Sequence, residues 1–89
     1  MASHFTDQAV AGSSTPEAVS IDTPLSVIIN GTFGVNTKVY AELADVIDGI
    51  YQPVASSSNN DRYNLEYNGF LRFRLANPDA GTSVTVVTL

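Results

Sequence analysis

The residues that could carry chemistry in this chain are few and widely separated. His4 is the only histidine and the 89 residues include no cysteine. One chain therefore cannot build a Ser-His-Asp triad, a histidine-rich metal site or a thiolate zinc site. We expect His4 to be solvated. The carboxylates are not arranged around anything that would shape a sugar cleft, so glycoside hydrolysis is not indicated. We expect no catalytic residue, no cofactor and no enzymatic activity.

Two aspartates are the residues that could form a calcium site. Asp45 and Asp48 flank a predicted turn, and an acidic turn can bind Ca2+ with the help of backbone carbonyls. The EF-hand spacing is absent, and turn chemistry explains both aspartates without a metal. We therefore expect no metal site.

The charge balance argues against nucleic acid as a partner. The chain has 4 Lys and Arg against 9 Asp and Glu, for a formal charge of −5. Phe70, Arg72 and Arg74 share the outward face of one predicted strand. They form either a contact patch, because arginine and aromatic residues are enriched at interfaces, or a solvated face paired with Glu66 or Glu42. Two arginines on an acidic chain are too few to neutralise phosphates.

Several short strands must position these side chains. The chain beyond residue 16 is rich in Val, Ile, Thr, Tyr and Phe and is interrupted by Gly, Asn and Pro. This composition predicts strands separated by turns. We predict a short strand at residues 18–21 and a last strand at residues 83–89. Residues 25–30 are apolar on both faces, which predicts a strand in the centre of a sheet.

Residues 39–51 allow two interpretations. Val39, Leu43, Val46 and Ile50 recur at helical spacing, which would make this stretch an amphipathic helix. Asp-Gly at 48–49 between apolar runs is instead a hairpin signal, and an internal glycine costs a helix about 1 kcal/mol. We favour the hairpin.

Residues 63–75 predict a change of sheet. A two-residue loop at Asn-Gly 68–69 would place Leu65 opposite Arg72 and turn both arginines of this strand inward. A three-residue loop with a bulge, or a crossover from one sheet to the other, keeps the apolar side chains inside. We favour the crossover.

The N-terminal residues differ from the rest of the chain. Residues 1–16 are small and polar, with Phe5 and Val10 as the sizeable apolar side chains. They form either a frayed terminus or an arm that lies on a neighbouring subunit through these two anchors; we favour the arm. We thus expect an extended arm over residues 1–24 and a β-sandwich over residues 25–89. No secretion signal and no apolar run near the ~20 residues that span a bilayer are visible.

The order of short motifs from Gly31 to the C-terminus resembles a known family. The motifs are Gly-Thr-Phe-Gly at 31–34, Val-Tyr-Ala-Glu-Leu at 39–43, Asp-Gly at 48–49, Pro-Val at 53–54, Gly-Phe-Leu-Arg-Phe-Arg-Leu at 69–75 and Gly-Thr-Ser-Val-Thr-Val at 81–86. Their order resembles that in small immunoglobulin-like β-sandwich proteins of tailed bacteriophages. Tyr51 stands where that family more usually has Trp, and residues 44–47 are more apolar than usual.

The resemblance implies an all-β fold, a small immunoglobulin-like antiparallel sandwich, and a structural role in a virion. It implies a capsid decoration or cement protein made in the host cytoplasm and mounted on the capsid exterior. Its partners would be the major capsid protein or other virion proteins, in a homo-oligomer, with no nucleic acid and no membrane involved. The alternatives are a tail, neck or fibre module, and a module that binds host-surface glycan or protein through polar loops at 56–61 and 77–81.

Overall fold

The computed structural model describes residues 2–89, and within them the chain forms strands without helices. The strands are β1 (Ala2–Gln8), β2 (Gly12–Ser13), β3 (Glu17–Val19), β4 (Leu25–Thr32), β5 (Lys38–Ala44), β6 (Gln52–Ser57), β7 (Asp61–Leu65), β8 (Gly69–Ala76) and β9 (Ser83–Thr88). No helix in this part of the chain is long and apolar enough to cross a membrane.

Two antiparallel sheets pack face to face. The first sheet has the strand order β1-β9-β4-β7, and the second has the order β2-β8-β5-β6, with β3 also paired to β8. The predicted all-β sandwich is confirmed, and β4 lies between two strands as expected. The core comes from side chains that alternate along the strands and point between the sheets. Its buried members are Phe5, Val27, Ile29, Val39, Ala41, Leu65, Leu71, Phe73, Leu75, Val84 and Val86.

Residues 39–51 take the hairpin interpretation. β5 and β6 pair antiparallel from Val39 opposite Ser57 to Leu43 opposite Gln52, and the connection is the loop 45–51. Asp48 and Gly49 lie inside this loop rather than forming a two-residue turn. Val54 is the extra residue of a β-bulge, because Ala41 faces Ala55 whereas Glu42 faces Pro53.

The chain changes sheets where the sequence predicted it. β7 pairs with β4 in the first sheet, and β8 pairs with β5 in the second. Gly69 begins β8 with φ of 129°, and a Cβ at this position would collide with the carbonyl oxygen of Ala44. Glycine is therefore required where the chain enters the second sheet. Leu65 and Leu71 both remain buried across the crossover.

The N-terminal segment is integrated into the sandwich, which differs from the expected arm over residues 1–24. β1 pairs with β9, and β2 and β3 both pair with β8, so residues 2–19 complete both sheets. A polar strand suits this place, because an edge strand satisfies the backbone groups of its neighbour while much of its own surface faces water. Residues 2–89 thus form one sandwich rather than an arm and a domain.

The expected polar loop at 56–61 is shorter than predicted. β6 extends to Ser57 and β7 begins at Asp61, which leaves residues 58–60 as the connection. The Ser57 hydroxyl donates to the Asp61 carboxylate at 2.7 Å and closes the loop.

Candidate interaction surface

The strand registers bring several loops to one end of the sandwich. In the first sheet, Leu25 pairs with Leu65 at this end, and β9 also finishes here. In the second sheet, Ala44 pairs with Phe70 and Val19 pairs with Gly69 at one end. The two ends coincide, because the connection 66–68 joins β7 to β8 in three residues. Loops 20–24, 45–51 and 66–68 and Leu89 therefore lie together.

Large apolar side chains are concentrated at this end. Of the eight that are exposed within residues 2–89, six lie in these loops or at Leu89. Ile50 is the most exposed of the six, at 84%. We call this surface the apolar end; its members are Ile21, Val46, Ile47, Ile50, Tyr67 and Leu89. The other two exposed side chains, Val10 and Val35, lie in loops toward the opposite end.

Acidic groups surround the apolar end. Asp22, Asp45, Asp48 and Glu66 lie in the same three loops and are all exposed. Loops 20–24, 45–51 and 66–68 contain no Lys or Arg. The apolar end therefore combines an apolar centre with negative charge around it.

Hydrogen bonds and a stacked arginine hold the loops in place. The Gly49 N–H donates to the Val46 carbonyl at 2.9 Å, and the Tyr51 hydroxyl donates to the Ile47 carbonyl at 2.9 Å. The Arg72 guanidinium lies 4.1 Å from the centre of the Tyr51 ring. These contacts fix loop 45–51 with its aliphatic side chains directed outward.

A further bond joins two of the loops to each other. The Ile21 N–H donates to Asn68 Oδ1 at 2.9 Å, which links loop 20–24 to loop 66–68. The apolar end is thus held in place before any partner binds, which lowers the entropy lost on binding.

The five predicted contact residues do not form one surface. Phe5 is buried in the core of its own chain, so its ring does not reach a neighbouring subunit in this conformation. Val10 is 67% exposed and lies away from the apolar end. Phe70, Arg72 and Arg74 lie on the outward face of β8, as predicted from their alternation with buried residues.

The two arginines take the paired arrangement with Glu42 rather than Glu66. Arg72 Nε donates to Glu42 Oε1 and Arg74 Nε donates to Glu42 Oε2, each at 3.0 Å. Arg74 also lies over the Tyr40 ring at 4.5 Å. The Glu42 side chain is only 5% exposed because the arginines cover it. Both cations are therefore engaged within the chain.

His4 is buried, which contradicts the expectation of a solvated residue. It is the extra residue of a bulge between Ser3 and Phe5, so both His4 and Phe5 point inward. Its side chain is 4% exposed and lies against the Phe73 ring, with 4.8 Å between the ring centres.

Polar partners from both sheets surround His4. His4 Nε2 donates to Glu17 Oε1 at 2.8 Å, and the Thr88 hydroxyl donates to the same oxygen at 3.0 Å. We call His4, Glu17 and Thr88 the polar clasp. It joins β1 and β9 of the first sheet to β3 of the second, and its role is structural.

A groove runs between β6 and β7, on the side of the sandwich that lies away from β1, β2 and β3. Its volume is about 600 Å3, and Tyr63 forms part of its wall. The Tyr63 hydroxyl is buried and has no hydrogen-bond partner within residues 2–89. Burial, with a contribution from the Asp61 carboxylate, raises the pKa of this hydroxyl to about 12. We call this feature the β6–β7 groove.

Metal ligands are not gathered anywhere in the described chain. Among residues 2–89, no three His, Asp or Glu side chains come together in a way that could hold a metal ion. Asp45 and Asp48 lie instead in the acidic surroundings of the apolar end.

No protein-family model, curated protein or solved structure matches this chain. The geometry of the chain's own surfaces therefore carries the functional argument. One signal of the apolar end was visible in the sequence, namely the apolar residues within the stretch 44–47.

Proposed function

We propose that this chain is a non-enzymatic structural protein of a virion, a capsid decoration protein that docks on the viral shell. The observation that carries this proposal is the apolar end, where six large apolar side chains are exposed together. Contiguous apolar surface on a small protein marks a site of interaction, because its exposure to water is unfavourable until a partner covers it.

The acidic surroundings select the kind of partner. A protein surface with an apolar centre and Lys or Arg around it complements the apolar end in both respects. Nucleic acid and anionic lipid are both disfavoured, because they carry the same sign of charge as the end itself. The chain's net charge of −5 acts in the same direction.

The polar side chains support a role without catalysis. His4, Glu42, Arg72 and Arg74 are the residues whose chemistry stands out in the sequence, and all four are engaged in internal bonds. These bonds stabilise the sandwich and tie up the groups that a reaction would need. The motif order from Gly31 onward supports the assignment to a virion.

A decoration protein gains affinity from repetition. We propose a homo-oligomer on the capsid exterior, made in the host cytoplasm, in which each apolar end meets the major capsid protein. Many weak contacts on a lattice then add to a stable attachment. In this arrangement the apolar end replaces the N-terminal segment as the principal contact, because residues 2–19 are occupied within the sandwich.

The experiment is a binding comparison with purified full-length chain. Undecorated capsids, isolated tails and host cell envelopes, all from the virus and host of this chain, are mixed with it and sedimented. We expect retention by capsids. Retention by tails alone would replace the capsid location by a tail, neck or fibre role, and retention by envelopes alone would make the chain a host-surface binding module.

A further inference from the structure

The two lateral edges of the sandwich differ in whether additional strands cover them. On one side the N-terminal strands cover both sheets, with β1 on β9 and with β2 and β3 on β8, and the polar clasp joins them. On the other side the sheets end at β7 and β6, and within residues 2–89 each of these strands pairs with one neighbour only. Two free strand edges therefore face the β6–β7 groove.

The groove offers both apolar contact and unused polar groups. Val54, Ala55 and Leu65 contribute apolar surface, and the free edges contribute backbone N–H and C=O groups at strand spacing. The Tyr63 ring forms part of this wall, but its hydroxyl is buried behind the surface and is out of reach of a ligand in the groove. The free strand edges are therefore the polar groups that a ligand can use.

Only part of the β6 edge carries features that prevent another strand from pairing with it. Pro53 and the bulge at Val54 protect the first half of β6, since proline and bulges both obstruct strand addition. The second half, Ala55–Ser57, carries no charge, proline or bulge. The open part of the groove therefore lies between this half of β6 and the facing part of β7.

We propose that the β6–β7 groove binds an extended segment of a partner protein, which adds as a strand to the free edges of the groove. Asp61 and Glu66 are the charged residues that line the groove. A segment with Lys or Arg at its ends and small or branched side chains between them complements this charge. Glu66 and Tyr67 line the groove and also belong to the apolar end or its acidic surroundings, so the two sites adjoin there. The groove proposal rests on the free strand edges and does not require the apolar end to bind a partner.

An extended peptide fits this groove better than a sugar chain does. The backbone donors and acceptors on a strand edge belong to alternate residues and repeat every ~7 Å, which is also the repeat of an added antiparallel strand. The flat walls of a glycan site are instead built from exposed aromatic faces. Among the residues that line this groove, Tyr63 packs its ring against the core, and Tyr67 alone presents an exposed aromatic side chain.

The test uses the full chain, 15N-labelled, titrated with three probes and followed by amide chemical shifts. The first probe is a heptapeptide of alternating Val and Thr with a Lys at each end. The second has Glu in place of both Lys residues, and the third is maltohexaose. We expect the Lys peptide to shift amides of β6 and β7 and to bind more tightly than the Glu peptide.

A variant with a matched control locates the contact. Glu66→Gln is expected to weaken the Lys peptide about threefold, because one exposed charge pair with a Lys of the peptide is lost. Asp48→Asn, which removes a charge outside the groove, is expected to leave the affinity unchanged.

Four results would overturn the proposal. They are no binding of the Lys peptide, shifts centred away from β6 and β7, equal affinity of the Glu66→Gln chain for the Lys peptide, and binding of maltohexaose in place of both peptides. The last would make the groove a glycan site.

Discussion

At the scale of single residues, three buried polar side chains differ in how their hydrogen-bonding groups are satisfied. Glu42 is neutralised by two arginines, and His4 is bonded to Glu17 across the sheets. Tyr63 has no partner for its hydroxyl. The sequence predicted the first pairing as one of two alternatives, because alternation placed the side chains on one face. It could not predict the second, since Thr88 and Glu17 meet His4 only after the sheets pack.

The orphan hydroxyl of Tyr63 predicts a stabilising substitution. Tyr63→Phe removes a buried donor without a partner and keeps the ring, so we expect the free energy of unfolding to rise by about 1 kcal/mol. Urea denaturation measures the change. Tyr40→Phe, whose ring lies on the outer face beneath Arg74, serves as the control and should change little. A loss of stability in the Tyr63→Phe chain would show that the hydroxyl is satisfied.

The same residue predicts a response to alkaline pH. The pKa of Tyr63 is about 12 in the folded chain, against about 10 when unfolded. Between these values the folded state holds a proton that the unfolded state releases, so stability falls as pH rises from 10 to 12. Below pH 10 this group contributes no slope. Denaturation at stepped pH should show a steeper fall for the natural chain than for Tyr63→Phe, and equal slopes would contradict the assignment.

The pairing of Glu42 predicts a destabilising substitution. Glu42→Gln keeps the shape of the side chain but removes the charge that holds Arg72 and Arg74. We expect the free energy of unfolding to fall by about 1.5–3 kcal/mol, the range for hydrogen bonds to charged groups. Glu66→Gln, an exposed site, should stay within about 0.5 kcal/mol. Equal effects of the two variants would mean that the buried pairing adds nothing to stability.

At the scale of elements, the strands beyond residue 24 and a short strand near residue 18 could be predicted from sequence, whereas β1 and β2 could not. The alternation of Leu71, Phe73 and Leu75 with polar neighbours indicated both the strand and its buried face. The crossover followed from the same alternation. Residues 2–19 lack that pattern, because edge strands need backbone partners more than buried side chains. Their polar composition therefore suggested an arm.

Phe5 and Val10 separate the two accounts of the N-terminal segment. In the sandwich, Phe5 is a core residue and Val10 is exposed, so Phe5→Ala should cost about 3–5 kcal/mol and Val10→Ala under about 0.5. Thermal and urea unfolding at several protein concentrations measure both. An arm that lies on a neighbouring subunit would give small, similar and concentration-dependent effects instead.

At the scale of the whole molecule, the fold creates a surface that no single segment contains. The apolar end gathers side chains from residue 21 to residue 89, and only the strand registers bring them together. The apolar residues at 44–47 gave a local hint. Sequence could not show that four other exposed apolar side chains would join Val46 and Ile47, because exposure depends on where each strand ends.

The most direct measurement compares two double variants in binding to undecorated capsids. Val46→Ser/Ile50→Ser removes two side chains of the apolar end, and Val10→Ser/Val35→Ser removes two equally accessible ones elsewhere. Circular dichroism confirms that both remain folded. Sedimentation should show affinity reduced at least about tenfold for the first variant, since each lost apolar contact is worth over about 1 kcal/mol, and unchanged for the second. Equal retention of both variants by the capsids would contradict docking through the apolar end.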